Sequence, residues 1–436
     1  MTDDTAPTAT ETAPTVVTAP SIDLNDCTLS ENGFTDGIFN GSPACIKEDK
    51  LHVCLKNFAD KSFCDAVLTR FDKDKDHLLT LSDVKNAVEF TCNGLVSAKG
   101  IEYFTWLEEL TLSGGTLTTL DLSLHTELNE LICMTNGLET LVIGSTKLEV
   151  LDCQRNNLTE LDLSDKLRLR ELNCEHNPLK TLDIPSTELR SLFCRLTMLE
   201  SLDVSHMINL EELDCSENQL TTLDVNNLTK LEILFCFSNK LTELHIDRID
   251  QLVELICDSN MLTELNIRNH TRLRFLSCVN NQLSELDLSN KANLVQLCCN
   301  NNRITELDLL DLSRLEVLKC GNNLLTSVDL TNLSSLRARD IGPQVAPTPA
   351  IVTPAADGKG YLVDIGSIVG YENIGFVLEV YNYIDTTSEN VLYDRETGIA
   401  TISEIGSAFH IVTYPISSNP GYTYDFYSIA VELRKN

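Results

Sequence analysis

The chain lacks several features that would each open a class of function. No apolar run approaches the length of a membrane span. Positive charge is scarce: 33 Lys and Arg stand against 65 Asp and Glu, for a formal net charge of −32 and a pI near 4.5. Phosphate recognition needs clustered Lys and Arg, so the expectation is no nucleic-acid binding, and adsorption to an anionic membrane is disfavoured for the same reason. Acidity of this degree suits solubility, cation binding or a basic partner. The eight histidines pair with no Cys or Ser nucleophile at a catalytic spacing, and there is no phosphate loop and no G-x-G-x-x-G. No close C-x-x-C pair exists, which argues against a zinc site. The chain therefore reads as no enzyme.

What is present is a repeat. A leucine returns every 20 or 21 residues from Leu107 to Leu336, in units of the form L-x-x-L-x-C-x-x-N-x-L-x-x-L-D-[LVI]. The ladder reads Leu112, Cys133, Cys153, Cys174, Cys194, Cys215, Cys236, Cys257, Cys278, Cys299, Cys320. So short a period predicts an α/β solenoid of about eleven coils, each stacked on its neighbours. The L-x-C segment alternates with period two and predicts a short strand, with leucine and cysteine inside and the residues between them on an open face. Equivalent side chains on parallel strands point the same way ~4.8 Å apart. That geometry suits buried free thiols better than disulfides. Cys92 falls on the ladder, so a truncated first coil is placed near Ala87.

Two polar ladders accompany it. Asn136, Asn156, Asn177, Asn218, Asn239, Asn260, Asn281, Asn302 and Asn323 mark the bend after each strand, where a carboxamide can satisfy turn amides on its own coil and the next; Gly115 and Thr197 interrupt the series. Asp121, Asp162, Asp183, Asp203, Asp224, Asp287, Asp308 and Asp329 stack like charges. Turn amides, Ser and Thr hydroxyls, or cations must offset them.

The domain order follows from composition. Residues 1–24 are a Thr/Ala/Pro-rich segment expected to be a disordered tether, with neither the basic start nor the apolar stretch of a secretory signal. Such tethers lie between export signals and folded heads. Residues 25–86 carry a helical pattern, with Val53, Leu55, Phe58, Phe63, Val67, Leu68 and Phe71 on the apolar face of a helix pair, a cover for one solenoid end. The array spans 87–340, a Pro/Gly-rich linker 341–357, and a small antiparallel β domain 358–436 with strands around 361–365 and 375–380. Cys27, Cys45, Cys54 and Cys64 lie outside the array and can form two bridges of unassigned pairing in an oxidising compartment.

Two sites stand out. Asp72, Asp74, Asp76, the Leu78 carbonyl, Thr80 and Asp83 occupy positions one, three, five, seven, nine and twelve of a calcium-loop spacing. His77 replaces the usual glycine at position six, and Asp83 the usual bidentate Glu at twelve. Calcium is the one cofactor this implies. On the open face, Phe193, Ile233, Phe235, Phe237, Ile256, Phe275 and Val279 form an apolar cluster, beside neighbouring units carrying Asp152, Asn173, Glu175, Asp214 and Asp258. That is the make-up of an interface centre with a charged rim, for a protein or glycan partner. Cys298 is read as an outward, reactive thiol, and His245 and His270 as exposed turn residues.

The units, with Cys, Asn and L-D-L at fixed places, resemble the leucine-rich repeats of bacterial surface proteins, and look most like the cysteine-ladder internalins. The stretch from Phe71 to Thr105, with its calcium-loop spacing followed by Cys92-Asn-Gly-Leu95 and Gly100-Ile-Glu-Tyr-Phe104, is similar to that group's N-terminal region. Tyr361-Leu-Val-Asp364, Asp394-Arg-Glu-Thr-Gly398 and Ile411-Val-Thr-Tyr414 resemble the β modules closing such arrays. The resemblance implies an extracellular or surface-attached adhesion or recognition protein. The alternative from a different class is a cytoplasmic scaffold or effector that recruits a protein partner.

Overall fold

The computed structural model describes residues 34–345 and, beyond them, the backbones of seven strands between residues 350 and 435. The Thr/Ala/Pro segment, Cys27 and part of the expected linker lie outside the described residues. The chain divides into two compact units: Met1–Ala87 with Leu95–Phe104, and Val88–Gly94 with Thr105–Asn436.

In the first unit, strands β1 (Thr35–Phe39), β2 (Ser42–Lys47) and β3 (Lys50–His52) run antiparallel. They are joined by Asn40–Gly41 and Glu48–Asp49, all four at positive φ, as tight two-residue hairpins require. Helix α1 (Lys61–Phe71) starts where Asp60 accepts the Ser62 amide at 2.8 Å, and it buries Phe63, Cys64, Val67 and Phe71. Strand β4 (Leu78–Leu79) pairs with β3, and a five-residue helix α2 (Leu81–Lys85) follows with a Thr80–Asp83 capping box. Phe58 packs edge-on against Phe63 and Tyr103 at 5.4 and 5.7 Å between ring centroids. The expected helix pair is thus one full helix, one turn and a four-stranded sheet. Val53, Leu55 and Phe58 lie in irregular chain ahead of α1, because the hairpin turns set period two upstream of it. Cys54 is disulfide-bonded, whereas Cys45 and Cys64 are free and buried, so the two-bridge expectation fails.

The second unit carries a thirteen-stranded parallel sheet from Glu89–Thr91 to Ala338–Asp340. Leucine faces leucine in register from Leu110 and Leu131 through Leu297 and Leu318, every 20 or 21 residues. The truncated first coil expected near Ala87 is there, with Glu89–Thr91 beside Glu109–Thr111. Each strand is three residues long. Its middle leucine and the cysteine just after it are inside: Cys133 through Cys320 on the ladder are free and fully buried. Each buried leucine is worth roughly 1.5–3 kcal/mol, and only the neighbouring coils bury it.

The asparagine ladder works across coils. Asn239 Nδ2 donates to the Cys215 and Cys236 carbonyls at 3.0 and 3.1 Å, and its Oδ1 accepts the Leu220 amide at 3.0 Å. Thr197 substitutes its hydroxyl, donating to the Cys194 carbonyl at 2.7 Å. The last rung is Gln344, fully buried, which donates to the Cys320 carbonyl at 2.9 Å and accepts the Asn323 and Leu325 amides. Pro343–Val345, inside the expected linker, is therefore a strand rather than linker. The residue before each asparagine, from Thr135 to Asn322, holds φ between 53° and 57°.

The aspartate ladder is offset locally. Asp121, Asp162, Asp203, Asp224, Asp287, Asp308 and Asp329 each accept the amide two residues on, at 2.8–3.0 Å. At Asp183 that position is Pro185, which has no amide hydrogen.

The C-terminal strands form a further sheet. Tyr427–Lys435 pairs antiparallel with Ala408–Thr413 and parallel with Pro343–Val345 and Ala350–Pro354. The remaining pairs are antiparallel and include the expected strand Tyr361–Asp364.

Candidate functional site

The open face of the parallel sheet is built from the first and third residue of every strand and the residue after each cysteine. Phe193, Ile233, Phe235, Phe237, Ile256, Phe275 and Val279 all stand on it, each half-buried. The register places them in three columns. One reads Phe193, Asp214, Phe235, Ile256, Ser277, Cys298. The next reads Ile233, Glu254, Phe275. In the column beyond the cysteines, Asp258 falls one coil from both Phe237 and Val279, and its Oδ1 accepts the Val279 amide at 2.7 Å.

Three apolar pairs thus bracket a carboxylate, Phe193 and Phe235 around Asp214, Ile233 and Phe275 around Glu254, Phe237 and Val279 around Asp258, while Phe235 and Ile256 are direct neighbours. The expectation of an apolar centre with an acidic rim is corrected to an interleaved surface.

The carboxylates pay for their surroundings. Burial pushes the Asp258 carboxyl up, against one hydrogen bond from the Ser277 hydroxyl, shared between the two carboxylate oxygens (2.7 and 2.9 Å), and the one from the Val279 amide. Burial also raises Glu254 and Glu175, the latter further raised by Asp214. Positive charge on the face is largely engaged. The Arg195 guanidinium lies 5.2 Å from the Phe237 ring centroid and ion-pairs with Glu217. Arg274 lies 5.5 Å from the Phe275 ring centroid.

Two readings of single residues change. Cys298 is 5% exposed, and burial raises its thiol above the ordinary range, so it is neither accessible nor reactive. The Gln296 amide lies 3.5 Å from its sulfur. His270 is fully buried in the back turn, where desolvation lowers its pKa, while His245 is exposed as expected. One coil on, Lys291 is equally buried, its ammonium donating to the Ser289 carbonyl at 2.8 Å. Position in a 21-residue register locates both side chains; local polarity does not.

The loop after α1 gathers part of the second predicted site. Asp72, Asp74 and Asp76 each place a carboxylate oxygen within 4.8 Å of the other two. His77 adopts φ 61°, the left-handed conformation that position six of a calcium loop needs. Leu78 lies in β4. Thr80 and Asp83 hold each other: the Asp83 carboxylate accepts the Thr80 amide at 2.9 Å and its hydroxyl at 2.6 Å.

No protein-family model matches the chain, and no curated protein matches it by sequence. Solved structures do match. The functional domain of InlJ from Listeria monocytogenes, which includes a cysteine ladder, aligns with a TM-score of 0.61 at 23% identity, covering 87% of this chain and 98% of that one. The internalin InlF of Listeria monocytogenes aligns at 0.53 and 25% identity, over 66% and 96% of the two chains. A leucine-rich-repeat protein of Leptospira interrogans aligns at 0.54 and 22%, over 60% and 80%. With the stacked coils and their 20- or 21-residue register, these likenesses define the fold as a leucine-rich-repeat solenoid. Among the described residues no helix is long and apolar enough to cross a membrane.

Proposed function

We propose that the protein is a non-catalytic recognition module that binds a protein partner on the open face between Ser191 and Cys298. The observation that carries this is the alternation of half-buried apolar groups with partly desolvated carboxylates on a rigid sheet. A basic side chain has the complementary make-up. Its aliphatic stem packs on Phe or Ile and its head neutralises a carboxylate that water serves poorly. The matching partner surface therefore presents Lys or Arg interleaved with apolar residues. An extracellular or surface setting is the reading supported by the disulfide at Cys54, which needs an oxidising compartment to persist.

Selection of a random peptide display library on the intact chain tests the reading. Recovered peptides should be rich in Lys, Arg and apolar residues, and their binding should weaken with salt. The double variant Phe235→Ala, Phe237→Ala should lose that binding with its melting temperature nearly unchanged. Acidic or salt-insensitive ligands, or full binding by the double variant, would overturn the proposal.

A further inference from the structure

Outside the open face, the feature with unspent chemistry is the loop between α1 and α2. Asp72 is 8% exposed. Its Oδ2 accepts the His77 amide at 3.0 Å, but its buried Oδ1 has no hydrogen-bond partner. A carboxylate oxygen cut off from water and left unpaired is costly unless a cation meets it. Asp74 and Asp76, both exposed, bring their oxygens to the same place. The cluster already holds one cation of the protein's own: the Lys50 ammonium donates to Asp76 Oδ2 at 3.0 Å, reaching across from β3.

We propose that this loop is a divalent-cation site, selective for calcium, in which the ion binds Asp72, Asp74 and Asp76 and takes the place of the Lys50 ammonium on Asp76. Oxygens within 4.8 Å of one another can all meet an ion at 2.3–2.6 Å, the calcium range, with water filling the rest of the shell. Magnesium, at about 2.0–2.1 Å, demands near-ideal octahedral geometry and dehydrates reluctantly, so a loop offering three carboxylates holds it more weakly. Asp83 stays in its capping box and supplies no bidentate ligand, so the affinity falls at the weak end, on the order of 10⁻⁴–10⁻³ M. Lys50 acts as a built-in competitor. It neutralises Asp76 without the ion and must be displaced for binding.

Calorimetric titration of the metal-stripped full chain with calcium chloride tests both halves. The wild type should bind one ion with a dissociation constant in the submillimolar to millimolar range, magnesium should bind more weakly, and Asp74→Ala should abolish binding. Lys50→Ala should bind severalfold tighter, because the competitor is gone. Absence of heat and of a melting-temperature rise at about 10 mM calcium, in both wild type and Lys50→Ala, would overturn the site. Equal affinity of the two chains would overturn the displacement of Lys50.

Discussion

The residue before each ladder asparagine shows what a single position can cost. Every one lies at φ near 55°, a region that favours Gly and Asn, yet Thr135, Arg155 and His176 occupy it, as does Leu196 ahead of the substituting Thr197. Later coils use the better residue. Asn280, Asn301 and Asn322 sit there and link side chain to side chain, at 2.6 and 2.7 Å. Thr135 is exposed and β-branched, so Thr135→Asn should raise stability by about 0.5–1 kcal/mol in a denaturant titration; a loss would show that the threonine makes a compensating contact. Asn239→Ala should act the other way. It leaves the Leu220 amide unpaired in a dry interior and takes one of two donors from the Cys215 and Cys236 carbonyls, which keep Asn218 and Asn260, for a cost of about 1–3 kcal/mol. The asparagine ladder was legible because the same carboxamide recurs at the same bend. The left-handed column beside it was not, since Thr, Arg, His, Leu, Glu and Ser carry no common signal, and only the backbone makes them alike.

At the scale of the strand, alternation alone tells inside from outside: period two puts leucine and cysteine in the core and the intervening residues on the face. It does not tell which outward residues touch, because that depends on the register between coils 20 or 21 residues apart. The acidic first positions show the consequence. Glu109 and Glu130 are direct partners across two strands, and burial, then Glu109 and Glu171, raise the Glu130 carboxyl above its ordinary range. A raised carboxyl pKa means that the folded chain holds its proton more readily than the unfolded chain does. The charged form therefore costs stability above the folded pKa, and the cost disappears as pH falls below the unfolded value near 4.5. Glu130→Gln should consequently stabilise the protein at pH 7 by a few tenths to about 1 kcal/mol, with the gain fading towards pH 4. Equal melting shifts at both pH values would indicate a packing effect instead. Register likewise explains Cys298, which alternation places outward but which lies between Ser277 and Lys319 on adjoining strands and is covered there.

For the molecule as a whole, the cysteine ladder sets a boundary in pH. Ten ladder thiols from Cys133 to Cys320 have their pKa raised by burial, Cys174 and Cys320 to about 12 and most of the others further. In the unfolded chain the same thiols ionise near 9.0. Between the two values the unfolded state holds fewer protons, so stability falls as pH rises, by about 1.4 kcal/mol per pH unit for each thiol. Ten such groups acting together remove on the order of 14 kcal/mol per unit, as much as the whole stability of a typical domain. The array should therefore unfold cooperatively between about pH 9 and 10.5, seen as loss of far-ultraviolet circular dichroism. Lys291 works in the opposite sense, its pKa lowered by burial, but it is one group against ten. Replacing Cys215 and Cys236 by Val removes two of the titrating groups and should move the midpoint upward, although each added methyl must fit a tight core. Native spectra persisting beyond pH 11 in the unmodified chain would mean that the thiols are not sealed inside the coils, and the assignment of inner and outer faces would fail with them.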